Sequence, residues 1–199
     1  MKYFTISKVN KGEFRDKGSK FFAFLHPIES LYSYKVNLQY HKSAHPKACH
    51  VCSAYRLYSN GQLDEYSSDD GEPRGSSGSP ILNTIKRHEI INVSLFVVRY
   101  FGGTKLGIPG LINAYGAGAE DALLNISKIV WRPTIVILVE HGYEHVNIMS
   151  LLIAKFEGKI IDQVFGEFIE TRVQLNEGSG IAFDKALFER SNGKLSVKR

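Results

Sequence analysis

Residues 92–100, NVSLFVVRY, run almost without interruption through apolar and β-branched side chains. A short run of that composition reads as a strand buried on both faces, since a strand with one wet face would alternate with polar residues. The chain must therefore build a sheet with cover on each side, and the neighbouring segments have to supply it.

Several of them do. YFTI and KFFAFLHP near the start read as strands joined by a polar connection, NKGEFRDKGS, that carries two glycines. From Glu29 to Ala44 the apolar positions Leu31, Tyr34 and Leu38 recur at helical spacing, with neither Gly nor Pro to interrupt them. HVCSAYRLY (50–58) and QLDEYS (62–67) flank an Asn60-Gly61 pair, which predicts a hairpin because both residues tolerate positive φ. Residues 79–89 predict a short helix with Ser79 as N-cap, Pro80 at its first position, and Ile81, Leu82 and Ile85 on one face. LINAYGAGAEDALLNI (111–126) predicts a helix with so little bulk at Ala114, Gly116, Ala117, Gly118 and Ala119 that it can pack closely on a sheet. Its glycines cost about 1 kcal/mol each relative to alanine, so packing must compensate.

The pattern restarts after Trp131-Arg132-Pro133. Strand, helix, strand, strand, helix and a short end follow, a β-α-β-β-α-β order that a ferredoxin-like two-layer sandwich accommodates in about 65 residues. The expected class is α+β, with domains at 1–131 and 132–199.

With 43% hydrophobic and 23% charged residues the chain has the composition of a globular protein, which sets aside disordered and collagen-like readings. The longest apolar runs, such as IVILV at 135–139, fall far short of the ~20 residues of a membrane span. The expectation is a cytoplasmic protein without a membrane partner, and two cysteines, Cys49 and Cys52, suit a reducing compartment. The net charge of +5 is uneven: residues 1–131 hold 16 Lys and Arg against 11 Asp and Glu, whereas residues 132–199 hold 9 against 9. A basic field confined to the first part can attract phosphates or nucleic acid, or simply aid solubility.

Two glycine-rich stretches stand at strand-to-helix passages, where sites are commonly built. SDDGEPRGSSGSP (68–80) places Asp69, Asp70 and Glu72 beside Gly71 and Gly75, with Arg74 adjacent. Such crowded carboxylates need cations, backbone N–H groups, solvent or a hard metal ion such as Mg²⁺ to relieve their repulsion. The internal cations on offer are Arg74, Arg99 and Lys105. The second stretch, FGGTKLGIPG (101–110), offers Gly102, Gly103, Gly107 and Gly110 for close backbone approach, with Lys105 and the following helix N-terminus as a phosphate site. Its spacing matches neither the phosphate-loop nor the dinucleotide fingerprint. His45, Cys49, His50 and Cys52 contain metal-ligating types, but no second C-x-x-C completes a zinc set, and strand parity separates Cys49 from His50 and Cys52. No catalytic residue, cofactor or metal is assigned.

H-V-C-S-A-Y-R (50–56), S-D-D-G-E-P (68–73) and R-Y-F-G-G-T-K-L-G (99–107), in that order, resemble the IMPACT/YigZ family, and the likeness runs from about Lys17 to Leu124. Two stretches differ from the family pattern: Asn113 stands where members commonly carry an arginine, and Ser76-Ser77-Gly78 replaces Thr-Ala-Gly. The resemblance implies a first domain of the left-handed β-α-β type, similar to a small-subunit ribosomal protein and to domain IV of elongation factor G. It implies a second domain similar to that factor's domain V. Eukaryotic members regulate translation but carry an extra N-terminal recruitment domain, so their particular partner is not carried over. The expected function is a non-enzymatic, translation-associated regulatory protein that binds RNA, the ribosome or a ribosome-bound protein partner through His50, Arg74, Arg99, Tyr100 and Lys105. Asp69, Asp70 and Glu72 would organise the loop from within. The alternative is a small-ligand or nucleotide-binding enzyme using the acidic loop 68–73 with Mg²⁺, and Lys105 for phosphate.

Overall fold

A computed structural model describes residues 3–59 and 61–198. The chain is α+β and divides into two compact units, the first ending at Trp131 and the second starting at Arg132.

In the first unit, strands β1 (Tyr3–Thr5), β2 (Asn10–Asp16) and β3 (Ser19–Pro27) precede helix α1 (Leu31–Ala44). The hairpin β4 (His50–Ser59) and β5 (Gln62–Ser68) follows, then α2 (Gly78–Arg87), β6 (Val93–Tyr100), α3 (Gly107–Leu123) and β7 (Ile129–Trp131). Five strands form an antiparallel sheet in the order β2-β3-β6-β4-β5, while β1 pairs with β7. β6 takes the central position and is buried along all but its last residue. Its alternate residues serve two cores: Val93, Leu95 and Val97 pack in the cluster with residues of α2 and α3, and Phe96 and Val98 in the one with Tyr34 of α1.

The connection expected between the first two strands is itself a strand. β2 hides Gly12 and Phe14 and exposes Lys11, Glu13 and Arg15, so the period-2 signal was present but diluted by charge on an edge position. α1 starts from Ser30, whose side chain and that of Ser33 cap each other's backbone. Its buried face carries Tyr34 and His41, whereas Leu31 is exposed. Asn60 lies outside the described residues, while Gly61 has the left-handed φ of +78° expected of the hairpin turn.

α2 starts two residues earlier than Ser79 and Pro80 would place it, at Gly78, with Ser77 in the N-cap position and no local side-chain cap. The acceptor comes instead from Asp69, across the loop. α3 also starts early, absorbing Gly107 to Gly110 into its first turn, where Pro109 needs no hydrogen-bond donor. Its small residues let it lie on the sheet backbone: a Cβ at Gly12 would sit 2.3 Å from Ala122 N, and one at Gly118 would touch Phe14 and Phe21 at 3.7 Å. Tyr115, Leu111, Leu123 and Phe21 are buried in this contact, each contributing roughly 2 kcal/mol, which offsets the glycine cost.

The second unit runs β8 (Thr134–His141), α4 (Val146–Lys155), β9 (Lys159–Phe165), β10 (Ile169–Asn176) and α5 (Gly180–Arg190). Its antiparallel sheet has the order β8-β10-β9, and the chain end contributes an isolated bridge, Lys198 to Leu138, where a short final strand was expected. Val139, Leu152, Val173, Phe183 and Leu187 form its own core.

Beneath α1 three histidines meet. His41 and His26 approach with their Nε2 atoms 2.8 Å apart, and His41 stacks on Phe24 at 4.4 Å and lies near His45. Burial, reinforced by His26, His45 and Lys11, pushes His41 down to about 4, and burial lowers His26 and His45 as well. A depressed histidine favours the unfolded state once that state protonates, so stability present above pH 6.5 is lost as pH falls toward 4. Between pH 7 and pH 5 the first unit should lose on the order of 2 kcal/mol from His41 alone. Urea denaturation of His41→Phe against the parent at both pH values should show the flatter profile in the variant.

Candidate functional site

β5 and β6 flank β4 and both pair with it antiparallel, so their C-terminal ends emerge side by side next to His50 at the start of β4. The two glycine-rich loops leave from those ends and meet there.

The three carboxylates of the first loop take three separate sets of partners. Asp69 accepts from the backbone N–H groups of Gly75, Ser77 and Gly78 at 2.8, 3.1 and 2.8 Å and from the Ser77 hydroxyl at 2.8 Å. It is thus the anion at the N-terminus of α2. Burial alone would raise its carboxyl, but these donors outweigh burial and hold it below the usual range. Asp70, at φ +43°, accepts from Val51 N and from Lys42 of α1, and its carbonyl accepts from His50 Nδ1 at 2.8 Å. Glu72 turns inward: its Oε1 accepts from Arg99 Nη1 at 2.6 Å and from the Tyr115 hydroxyl at 2.8 Å. Both Glu72 and Arg99 are buried, and the Arg99 guanidinium also lies over the rings of Phe21 and Phe101, each at 5.6 Å.

Arg99, Glu72, His50 and Lys105 line one cavity of about 410 Å³, together with Cys49, Pro73, Phe101, Leu106, Gly107, Ile108 and Leu111. Tyr100 does not belong to it. As the next residue along β6 it points to the opposite face, where its hydroxyl bonds His45 Nδ1 at 2.8 Å and its ring meets Phe22 edge-on. Arg74 is exposed and forms no ion pair among the described residues, so of the expected internal cations only Arg99 neutralises a loop carboxylate. The glycines serve varied ends. Gly102 approaches protein backbone, not an open ligand space: a Cβ there would lie 1.9 Å from the carbonyl carbon of Gly18 in the β2–β3 turn. Gly71 packs near the His50 ring, Gly110 faces Leu106, and Gly75, Gly103 and Gly107 take left-handed φ values.

The proposed sharing of Mg²⁺ by the acidic loop is not supported by this arrangement. Asp69 and Asp70 are engaged at the start of α2 and at the α1–β4 junction, and no cluster of three metal-ligating side chains occurs among the described residues. Cys52 donates its thiol to the Asp69 carbonyl, and burial pushes it up to about 12, which keeps it a thiol at neutral pH. Two participants were not anticipated. Lys42 gives no local signal, being 28 residues from Asp70. Tyr115 does, as the single aromatic in a helix of small residues, and burial pushes its hydroxyl pKa upward.

Comparison with known proteins fits this geometry. The model of the Impact N-terminal domain matches residues 17–123, a span that contains both loops, β4, β6 and all of α3. The chain belongs to the IMPACT family. An IMPACT family member of Haemophilus influenzae is 31% identical over 92% of this chain and 89% of its own. The IMPACT family member YvyE of Bacillus subtilis is 30% identical over 98% of this chain and 90% of its own. A crystal structure of a hypothetical protein superposes with a TM-score of 0.74 at 26% identity, covering 98% of this chain and 96% of the other. The likeness of this IMPACT chain to its relatives therefore extends through the second unit.

Removing one member of a buried ion pair strands the other, at a cost of about 3–5 kcal/mol. Arg99→Met should accordingly destabilise the first unit by about that much, and the Glu72→Met/Arg99→Met double variant by clearly less, as read from denaturant midpoints. Asp69→Ala should cost about 2 kcal/mol through loss of the α2 cap. Its effect should shrink as pH falls through the depressed carboxyl pKa, because a group lowered in the folded state contributes stability only while ionised.

Proposed function

We propose that this protein is a non-enzymatic, translation-associated regulatory protein whose first unit contacts RNA. Family membership supports the translational half of this reading, through the kinship with a ribosomal protein and with elongation factor G that the family resemblance implies. The antiparallel sheets and the order of elements in the two units are compatible with the elongation-factor domain IV and ferredoxin-like types. In the second unit the Lys198 bridge falls on β8, which pairs with β10, and β10 with β9.

The observation that carries the RNA reading is the stretch of β2 and β3 on the same side of the sheet as α1, at whose margin Phe24 stacks on His41. On it the register aligns Arg15, Lys20 and Tyr100 in one row, Glu13 and Phe22 in the next, and Lys11 and Phe24 in a third. Phe22, Phe24 and Tyr100 are half-buried, Lys11 stands over the Phe24 ring at 5.9 Å, and Lys20 has no ion-pair partner among the described residues. Only Glu13 opposes the three cations, and it pairs with Arg15. Half-buried aromatic rings interleaved with cations along an exposed sheet edge suit stacked bases and their phosphates. Tyr100, expected among the contacts, lies here, whereas Arg99, His50 and Lys105 lie at the other side of the sheet. The neutral balance of residues 132–199 is consistent with contact through the first unit.

Binding to a single-stranded RNA ladder should weaken with salt, each phosphate contact adding about 0.7 to the slope of log affinity against log salt. Lys11→Gln and Lys20→Gln should each reduce that slope by about 0.7 and leave the thermal midpoint unchanged. Salt-independent binding, or no binding by the parent at low salt, would exclude this function.

A further inference from the structure

We propose that the cavity between the two glycine-rich loops binds a small organic anion that bears an N–H donor and an apolar body. The cavity, at about 410 Å³, is within the range of small-molecule sites and too small for a folded macromolecular element.

Its positive side has two parts. α3 is 17 residues long, and its N-cap, Leu106, has no side-chain acceptor to offer, so its first-turn amides have no side-chain cap, and Gly107 and Ile108 of that turn line the cavity. Lys105, two residues before the helix, lines the same cavity, is exposed, and has no ion-pair partner among the described residues. Deeper in stands Arg99, 7% exposed, whose Nη1 is satisfied by Glu72 while its Nε has no hydrogen-bond partner among the described residues. A buried guanidinium with an unspent donor beside a cavity is an unusual thing for a protein to keep, because orphaned donors destabilise the fold unless something fills them. Glu72 cancels the charge of Arg99, leaving Lys105 and the helix end to set a positive potential.

The acceptors define the rest of the ligand. Glu72 uses Oε1 for Arg99 and Tyr115, and its Oε2 has no partner among the described residues. His50 donates from Nδ1 to a carbonyl, so in the neutral ring Nε2 presents a lone pair, 3.9 Å from Glu72 Oε1. Phe101, Leu106, Ile108 and Leu111 supply apolar walls for the body of the molecule. Asn113, where the family pattern differs, lines a separate groove between α2 and α3 and does not touch this one. Two sources share this chemistry: a nucleoside monophosphate and a free apolar amino acid.

Isothermal calorimetry on the full chain, with nucleoside monophosphates, apolar amino acids and inorganic phosphate as three separate arms, tests the site. Saturable binding in one organic arm is expected, and that arm identifies the source. Lys105→Glu and Ile108→Asp, both at exposed positions, should each raise Kd at least tenfold, whereas Lys35→Gln, at an exposed position on α1, should leave it unchanged. Inorganic phosphate binding as tightly as either organic arm would overturn the proposal, since the walls and acceptors would then select nothing. So would no heat in any arm at millimolar concentration, or binding that survives both cavity variants.

Discussion

A carboxylate taken out of water must find donors, and Glu72 finds them in Arg99 and Tyr115. That single oxygen ties three distant segments: the loop after β5, the end of the central strand β6, and the middle of α3. Because both charges are buried, the pair tolerates little displacement, and neighbouring groups are placed relative to it. With its guanidinium bonded to Glu72, Arg99 lies across Phe21 and Phe101, and Tyr115, bonded to the same oxygen, packs edge-on against Phe21.

The other two carboxylates follow from the same economy of donors. Asp69 turns back to cap α2, which brings Gly78 against the backbone of Ser68, and Asp70 bridges α1 to β4. A run of three acidic residues in four positions thus sends its side chains to a helix start, a strand start and a core arginine. Repulsion among them is relieved by separation, each carboxylate pointing to its own donors, and a shared cation is not required. The sheet then separates two surfaces. Lys11, Lys20 and Tyr100 lie with α1, and the loop cavity lies on the side of α2 and α3, so one central strand serves both through alternate residues.

Much of the architecture was legible before any coordinates. β6 declared itself by an unbroken apolar run, the β4–β5 hairpin by Asn-Gly, and α3 by small residues that only a close helix-to-sheet contact explains. β2 was missed because an edge strand with Lys, Glu and Arg on its open face reads as a polar connection. The start of α2 was displaced because a local serine was credited with capping done by Asp69, from eight and nine residues away. Neighbours in sequence were likewise grouped as one site, Arg99 with Tyr100, although adjacent residues on a strand face opposite ways.

Local pattern determined most of the elements and the excess of positive charge in residues 1–131, because periodicity, turn residues and charge are properties of short stretches. Partner choice was a different matter. Whether Glu72 would meet Arg99, Arg74 or Lys105, and whether Asp70 would meet Lys42, depended on which strand ends emerged side by side and which face each residue occupied. Those are consequences of strand order and register, which bring together residues that are 27 and 28 positions apart and that no local pattern relates.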